Sequence, residues 1–249
     1  MKKYIIKLIM LVTISLISLN YICIQLNVNA DERKVVYLTF DDGPSFSNTD
    51  SILDVLCENN VKATFCIVGD NAVRNKGTMR RIKSSGMGII PHCNNHDYKE
   101  IYSSTENYID DLNKCMESIN NIINEKRTYN MIRMPGGSTN TVCNKEVLNN
   151  IKSYLKSNDM NYLDWNIDCG DTRKSIVSCN VIKENVEEVC GKNKVEVVLM
   201  HDLENKRTTT ESLKDIIDTY KKLGYEFNTV EAMESWEFEY LISREIINR

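Results

Sequence analysis

The chain has three histidines, His92, His96 and His201. His92 and His96 stand four apart, a spacing that on a helical turn puts both imidazoles on one face, able to grip one ion. Two surface histidines at a chance spacing is the competing reading, but using two of so few at this spacing favours a site. Asp41 and Asp42 are adjacent, directly after an apolar run and before Gly43-Pro44. Neighbouring carboxylates repel. They are tolerated when solvated in a turn, when capping a helix, or when divided between tasks, one on a cation and the other free as a base. Arg133-Met134-Pro135-Gly136-Gly137 forms a sharp, rigid strand exit whose arginine points either into a site or into water. Leu163–Asp171 mixes acids into an apolar run, and a buried acid needs a partner. Val197–Asp202 ends an apolar run on His201, an acid/base candidate.

Something must carry these groups to one place. Short apolar runs recur at Val35–Phe40, Ala63–Val68, Gly88–Pro91, Asn130–Met134, Tyr162–Asn166, Glu196–Met200 and Tyr225–Thr229. Segments with helical spacing lie between them: Asp50–Glu58, Glu106–Ile123, Glu146–Leu155, Val181–Val189 and Glu211–Leu223, with a terminal amphipathic helix over Trp236–Arg249. Apolar strands without strict alternation suit a sheet buried on both faces. Strands alternating with helices imply an α/β fold with a parallel sheet and right-handed crossovers. Periodicity leaves open whether that sheet closes into a barrel. Each candidate group falls at the end of a strand, the edge where parallel α/β folds build active sites.

Composition narrows the function classes. The net charge is −4, and residues 1–30 hold Lys2, Lys3 and Lys7 with no acid, so the remainder sits at −7. A nucleic-acid binder needs a basic face, which argues against that class. The basic start, the apolar stretch to about Ile24 and Val28-Asn29-Ala30 read as an export signal cleaved after Ala30, with an uncleaved membrane anchor as the rival. One domain is expected over 31–249, secreted or at the cell surface and monomeric. Eight of the nine cysteines follow residue 30. Their spacing shows no disulfide framework and no Cys-x-x-Cys pair. Cys57 and Cys66 read as small buried hydrophobes, and export leaves room for one or two unassigned bridges.

Taken in order, the strand-end groups resemble the polysaccharide deacetylases of carbohydrate esterase family 4, the NodB-homology domain, over roughly residues 31–230. Thr39-Phe40-Asp41-Asp42-Gly43-Pro44 matches the first motif in full. His92-Cys93-Asn94-Asn95-His96 matches the second, Arg133-Met134-Pro135-Gly136 the third and Leu199-Met200-His201 the fifth. Asp168-Cys169-Gly170-Asp171 matches the fourth incompletely. The resemblance implies a distorted (β/α) barrel of about seven parallel strands after an N-terminal signal or anchor helix. It implies Asp42, His92 and His96 as metal ligands and Asp41 as catalytic base, oriented by Arg133. It implies His201 as general acid, tuned by Asp168, with Leu199, Pro135, Gly136 and Trp165 against the substrate. Zinc is the default ion for such ligands, though cobalt, nickel or manganese would fit.

The activity so implied is hydrolysis of a carbon–nitrogen bond other than a peptide bond: removal of N-acetyl groups from an acetylated cell-wall glycan, peptidoglycan N-acetylglucosamine foremost. Chitooligosaccharide or another acetylated glycan is the alternative, and a noncatalytic glycan-binding relative or a non-sugar amidohydrolase the more distant ones. Three departures bear on the site. Cys93 replaces a hydroxyl residue and is a weaker hydrogen-bond donor that could loosen the site or become a ligand. Pro91 stands for the usual Asn, and Thr172 for the usual Trp.

Overall fold

The computed structural model describes residues 33–249, and the segment expected to direct export, 1–30, lies outside them. Val35–Arg249 make up one unit. Its frame is β1 (Lys34–Asp41), β2 (Thr64–Val68), β3 (Gly88–Cys93), β6 (Ile167–Asp168), β7 (Val195–His201) and β8 (Tyr225–Phe227). The strands run in the order β3-β2-β1-β7-β6, with β8 also paired to β1. The pairings of β1 with β2, β1 with β7, β2 with β3 and β6 with β7 are parallel. A separate parallel pair, β4 (Met131–Ile132) and β5 (Asn161–Tyr162), continues past β3, joined to it by the Arg133 N–H donating to the Pro91 carbonyl at 3.0 Å. This is the expected barrel in distorted form, continuous from β6 round to β5 and not laddered between β5 and β6.

Side-chain alternation sorts the frame into two faces. Val36, Leu38 and Phe40 of β1, Phe65 and Ile67 of β2, and Val198 and Met200 of β7 join one core cluster. That cluster also takes Ile52, Leu53 and Leu56 of α1 (Asn48–Glu58). The opposite residues Val35 and Tyr37, Cys66, Val195 and Val197 face a second cluster inside the curve of the sheet. Burial on both faces is why the strands lack strict polar alternation. On the inner face, Thr39 and Asp41 continue the row from Tyr37, and Leu199 and His201 continue it from Val197. The register sets Thr39 opposite Leu199 and Asp41 opposite His201.

Helices link the strands. Two of them, α2 (Gly69–Arg74) and α3 (Lys76–Ser84), fill the β2–β3 connection, for which the sequence reading names none. After β3 come α4 (Tyr98–Ile101) and α5 (Thr105–Ile123). The remaining helices are α6 (Lys145–Ser157), α7 (Cys179–Glu187), α8 (Arg207–Lys222) and α9 (Ser235–Ser243). No helix among the described residues is long and apolar enough to cross a membrane.

Three expectations change. Tyr162–Asn166 is not one strand: the chain leaves β5 at Tyr162 and enters β6 only at Ile167, in the other sheet. Asp164 explains the break, because its carboxylate accepts from the Ser138 N–H at 2.9 Å and the Ser138 hydroxyl at 2.6 Å. The terminal helix stops at Ser243; Glu245 adopts φ 55°, and Ile247 then bridges Leu163. The eight cysteines after residue 30 are all free thiols, and Cys57 is exposed where burial was expected.

Candidate active site

β1 ends on Asp41 and the chain turns at once. Asp42 has φ 79°, a strained value for a residue with a side chain. Gly43 follows because nothing larger fits: a Cβ there would stand 2.0 Å from the Asp202 carboxylate. The Asn71 side chain fixes the Asp42 carbonyl at 2.7 Å. One Asp42 carboxylate oxygen lies 2.9 Å from Nε2 of His96 and 3.3 Å from Nε2 of His92. Burial pushes the Asp42 carboxyl up, but hydrogen bonds and charge from the two imidazoles outweigh it and hold it well below the usual carboxylate range.

His92 and His96 meet by a route other than the expected helical turn. His92 is still in β3, at a register slip where Ile67 pairs with Pro91 and Val68 with Cys93, so His92 is the extra residue. His96 sits beyond the strand with φ 56°. Asp111 of α5 holds the turn between them, its carboxylate accepting from the Asn94 N–H at 2.6 Å and the Asn95 N–H at 3.2 Å. Sequence reasoning missed Asp111; its one signal was an acid on the otherwise apolar stripe of α5.

The donor set suits a divalent ion. His92 Nδ1 lies 2.8 Å from the Arg133 carbonyl. A carbonyl can only accept, so Nδ1 carries the proton and Nε2 is left to face Asp42. Cys93 lies near enough for a His92–Cys93–His96 grouping to be considered. Its thiol, however, is buried among Val68, Ile101, Tyr102 and Leu112, and burial pushes its pKa well up. Asp42, His92 and His96 turn their donor atoms toward one another, while the Cys93 thiol packs in this apolar cluster.

Arg133 joins the Asp42–His92–His96 group to Asp41. Its carbonyl orients His92, while its guanidinium, wholly buried, donates to Asp41 at 3.3 Å and to the Thr39 hydroxyl at 3.0 Å. Burial disfavours the charged guanidinium, but the Asp41 charge outweighs it and holds the Arg133 pKa up. The other Asp41 oxygen is buried and has no hydrogen-bond partner among the described residues. Trp165 covers the guanidinium, with the Arg133 carbon 5.3 Å from the ring centre. Its ring also packs on Gly137 of the strand-exit turn. Trp165 thus supports the arginine beside the turn. Pro135 is buried, its carbonyl accepting from Tyr102 at 2.7 Å, and Gly136 is exposed. Leu199, opposite Thr39, is buried on the same row as His201.

The partner of His201 is Asp171, and the expectation of Asp168 is corrected. Asp168 pairs with Leu199 in the β6–β7 register and so stops two residues short of His201. Its carboxylate instead accepts from the Gly170 N–H at 2.8 Å. Gly170, at φ 71°, turns the chain and delivers Asp171. Asp171 accepts from His201 Nδ1 at 2.8 Å, from the His201 N–H at 2.9 Å and from the Thr209 hydroxyl at 2.9 Å. Burial pulls the imidazole pKa down, but the Asp171 hydrogen bond and charge raise it to about 9. At neutral pH His201 is thus cationic, with Nδ1 engaged by Asp171 and Nε2 without a hydrogen-bond partner among the described residues. The signal was present in the sequence, since Asp171 closes the same four-residue motif as Asp168.

The family model for polysaccharide deacetylases matches residues 28–155. Among relatives, the chain is 28% identical over 205 residues to a peptidoglycan-N-acetylglucosamine deacetylase of Listeria monocytogenes, matching 82% of this chain and 40% of that protein. It thus spans less than half the length of that relative. It is 30% identical over 203 residues to a peptidoglycan-N-acetylglucosamine deacetylase of Bacillus cereus, covering 80% of this chain and 70% of the relative. Among solved structures, the catalytic domain of the peptidoglycan N-acetylglucosamine deacetylase of Eubacterium rectale superposes with a TM-score of 0.73 at 30% identity, covering 79% of this chain and 88% of that one.

Proposed function

The chain belongs to the polysaccharide deacetylase family, and from that premise we propose that it hydrolyses the N-acetyl groups of cell-wall glycan, with peptidoglycan N-acetylglucosamine as substrate. The observation that carries this reading is the convergence of a divided aspartate pair with three histidines: Asp42 against His92 and His96, and Asp41 left with a free oxygen opposite His201. The named activities of the relatives support the same substrate.

Asp42, His92 and His96 would hold a divalent ion, with zinc as the first choice for this donor set. Such an ion supplies Lewis acidity, polarising the acetyl carbonyl and acidifying a water. The chain's own groups do the rest. Asp41 takes a proton from the attacking water, and Arg133 and Thr39 fix its carboxylate and its surroundings. His201 gives a proton to the departing amine nitrogen, a poor leaving group until protonated. Asp171 keeps that imidazole charged and turned the right way. Leu199 offers the acetyl methyl an apolar wall. The sequence features at 1–30 support action outside the cytoplasm.

The test is acetate release from purified peptidoglycan by the full-length protein, with the products resolved into glucosamine and muramic acid. Acetate matched by new glucosamine, abolished by chelator and restored by zinc, is expected. Deacetylation of muramic acid alone would move the substrate assignment. No acetate with any divalent ion, alongside retained glycan binding, would favour a noncatalytic relative.

A further inference from the structure

Tyr98 stands beside the site, and none of the roles above explains its position. It opens α4, two residues past His96, and its ring centre lies 5.0 Å from that of His96. On its other side it meets Tyr102 at 6.0 Å, and Tyr102 stacks on Tyr108 at 5.7 Å. Tyr102 is pinned by its hydrogen bond to the Pro135 carbonyl. A column of rings therefore runs from buried core to His96 and fixes the Tyr98 ring.

The phenol also crosses the strand-exit turn. A Cβ at Gly136 would stand 3.4 Å from the Tyr98 hydroxyl oxygen and 3.7 Å from the ring carbon that bears it. Gly136 has φ 73° and no side chain, and the space a side chain would fill there is bounded by the Asn140 Cβ at 3.3 Å and the Tyr98 phenol. The residue is half-buried, and its hydroxyl hydrogen-bonds to no group among the described residues. A rigid, pre-positioned hydroxyl at the lip of a site is a ready donor to a ligand. The reacting acetamide belongs between Asp41 and His201, while the ring contacts of Tyr98 are with His96 and Tyr102. What reaches Tyr98 is then another part of the same sugar.

We propose that Tyr98 is a substrate-binding residue: its ring walls the sugar subsite over Gly136, and its hydroxyl donates a hydrogen bond to a ring hydroxyl of the N-acetylhexosamine being deacetylated. This rests on the deacetylase reading. The test compares wild type with Tyr98→Phe, which keeps the ring column, in acetate release from N-acetylglucosamine oligomers and in zinc affinity by chelator competition. One hydrogen bond to a neutral partner corresponds to a fall in kcat/KM of roughly three- to tenfold, carried by KM, with zinc affinity unchanged. Tyr98→Ala, which also removes the wall, falls further. Equal KM and kcat/KM in wild type and Tyr98→Phe would overturn the proposal, as would a loss that tracks weakened zinc binding. If wild type itself released no acetate, the deacetylase reading would fail on its own account. Oligomer binding by calorimetry would then decide: weaker binding by Tyr98→Phe upholds the contact, and equal or absent binding refutes it.

Discussion

Two carboxylate–imidazole assemblies stand at the ends of the parallel strands, built from the same groups and suited to opposite tasks. In the first, Asp42 meets the Nε2 edges of His92 and His96, and the far nitrogen of His92 is tied to the Arg133 carbonyl. In the second, Asp171 takes Nδ1 of His201 and leaves Nε2 free. The first gathers three donor atoms at one point, as an ion requires. The second backs one ring with a charge and presents its outer nitrogen, as proton transfer requires. Which nitrogen is held, and by what, decides the role of a histidine more than the identity of its partner does.

The sharpest way to break the comparison is to remove a ligand from the first assembly. His92→Ala should abolish both zinc binding and acetate release, measured as metal content of the purified protein and turnover. Zinc retained at one equivalent would remove His92 from the ligand set. In the second assembly, Asp171→Asn should keep zinc and lower kcat by about 10²–10⁴-fold, the range for loss of a tuned general acid.

Its pH profile carries a further sign. His201 has a folded pKa raised to about 9, so the imidazolium acid is present at neutral pH and activity falls as pH rises through about 9. Asp171→Asn should move that alkaline limb down toward the ordinary imidazole value of about 6.5. By linkage, the Asp171–His201 pair stabilises the fold fully between the ordinary carboxylate pKa of about 4 and about pH 6.5, and loses that contribution as pH rises through about 9 or falls into the acid range where Asp171 takes a proton. The difference in Tm between wild type and Asp171→Asn should therefore narrow above that pH.

Asp168→Asn sharpens the comparison at its smallest expected effect. Activity within about twofold of wild type is expected, since a turn-capping oxygen survives the change. A loss as deep as that of Asp171→Asn would return Asp168 to the role the sequence suggested.

Much of the site was legible because strand ends are legible. Asp41, Asp42, Arg133 and His201 each close a short apolar run, and parallel strands bring such ends to one edge. The misreadings share a cause. Asp168 and Asp171 are both acids in one motif, and only the β6–β7 register, with Gly170 at φ 71°, tells which one reaches His201. The His92–His96 spacing pointed to a helical turn, yet a register slip in β3 and a left-handed His96 bring the rings together. Asp111 escaped notice because its contacts to Asn94 and Asn95 are tertiary. Cys93, a departure from the motif, lies in an apolar core cluster between His92 and His96.

The division of labour between Asp41 and Asp42 is the claim on which the rest depends, and Asp41→Asn tests it most directly. The amide keeps the side-chain volume beside buried Arg133, so zinc content and Tm serve as controls for folding, because unpairing a buried charge costs roughly 3–5 kcal/mol. The expected result is a folded protein with one bound zinc and acetate release from peptidoglycan reduced by about 10²–10⁴-fold. Zinc-loaded Asp41→Asn that released acetate at close to the wild-type rate would contradict the account and place the base elsewhere.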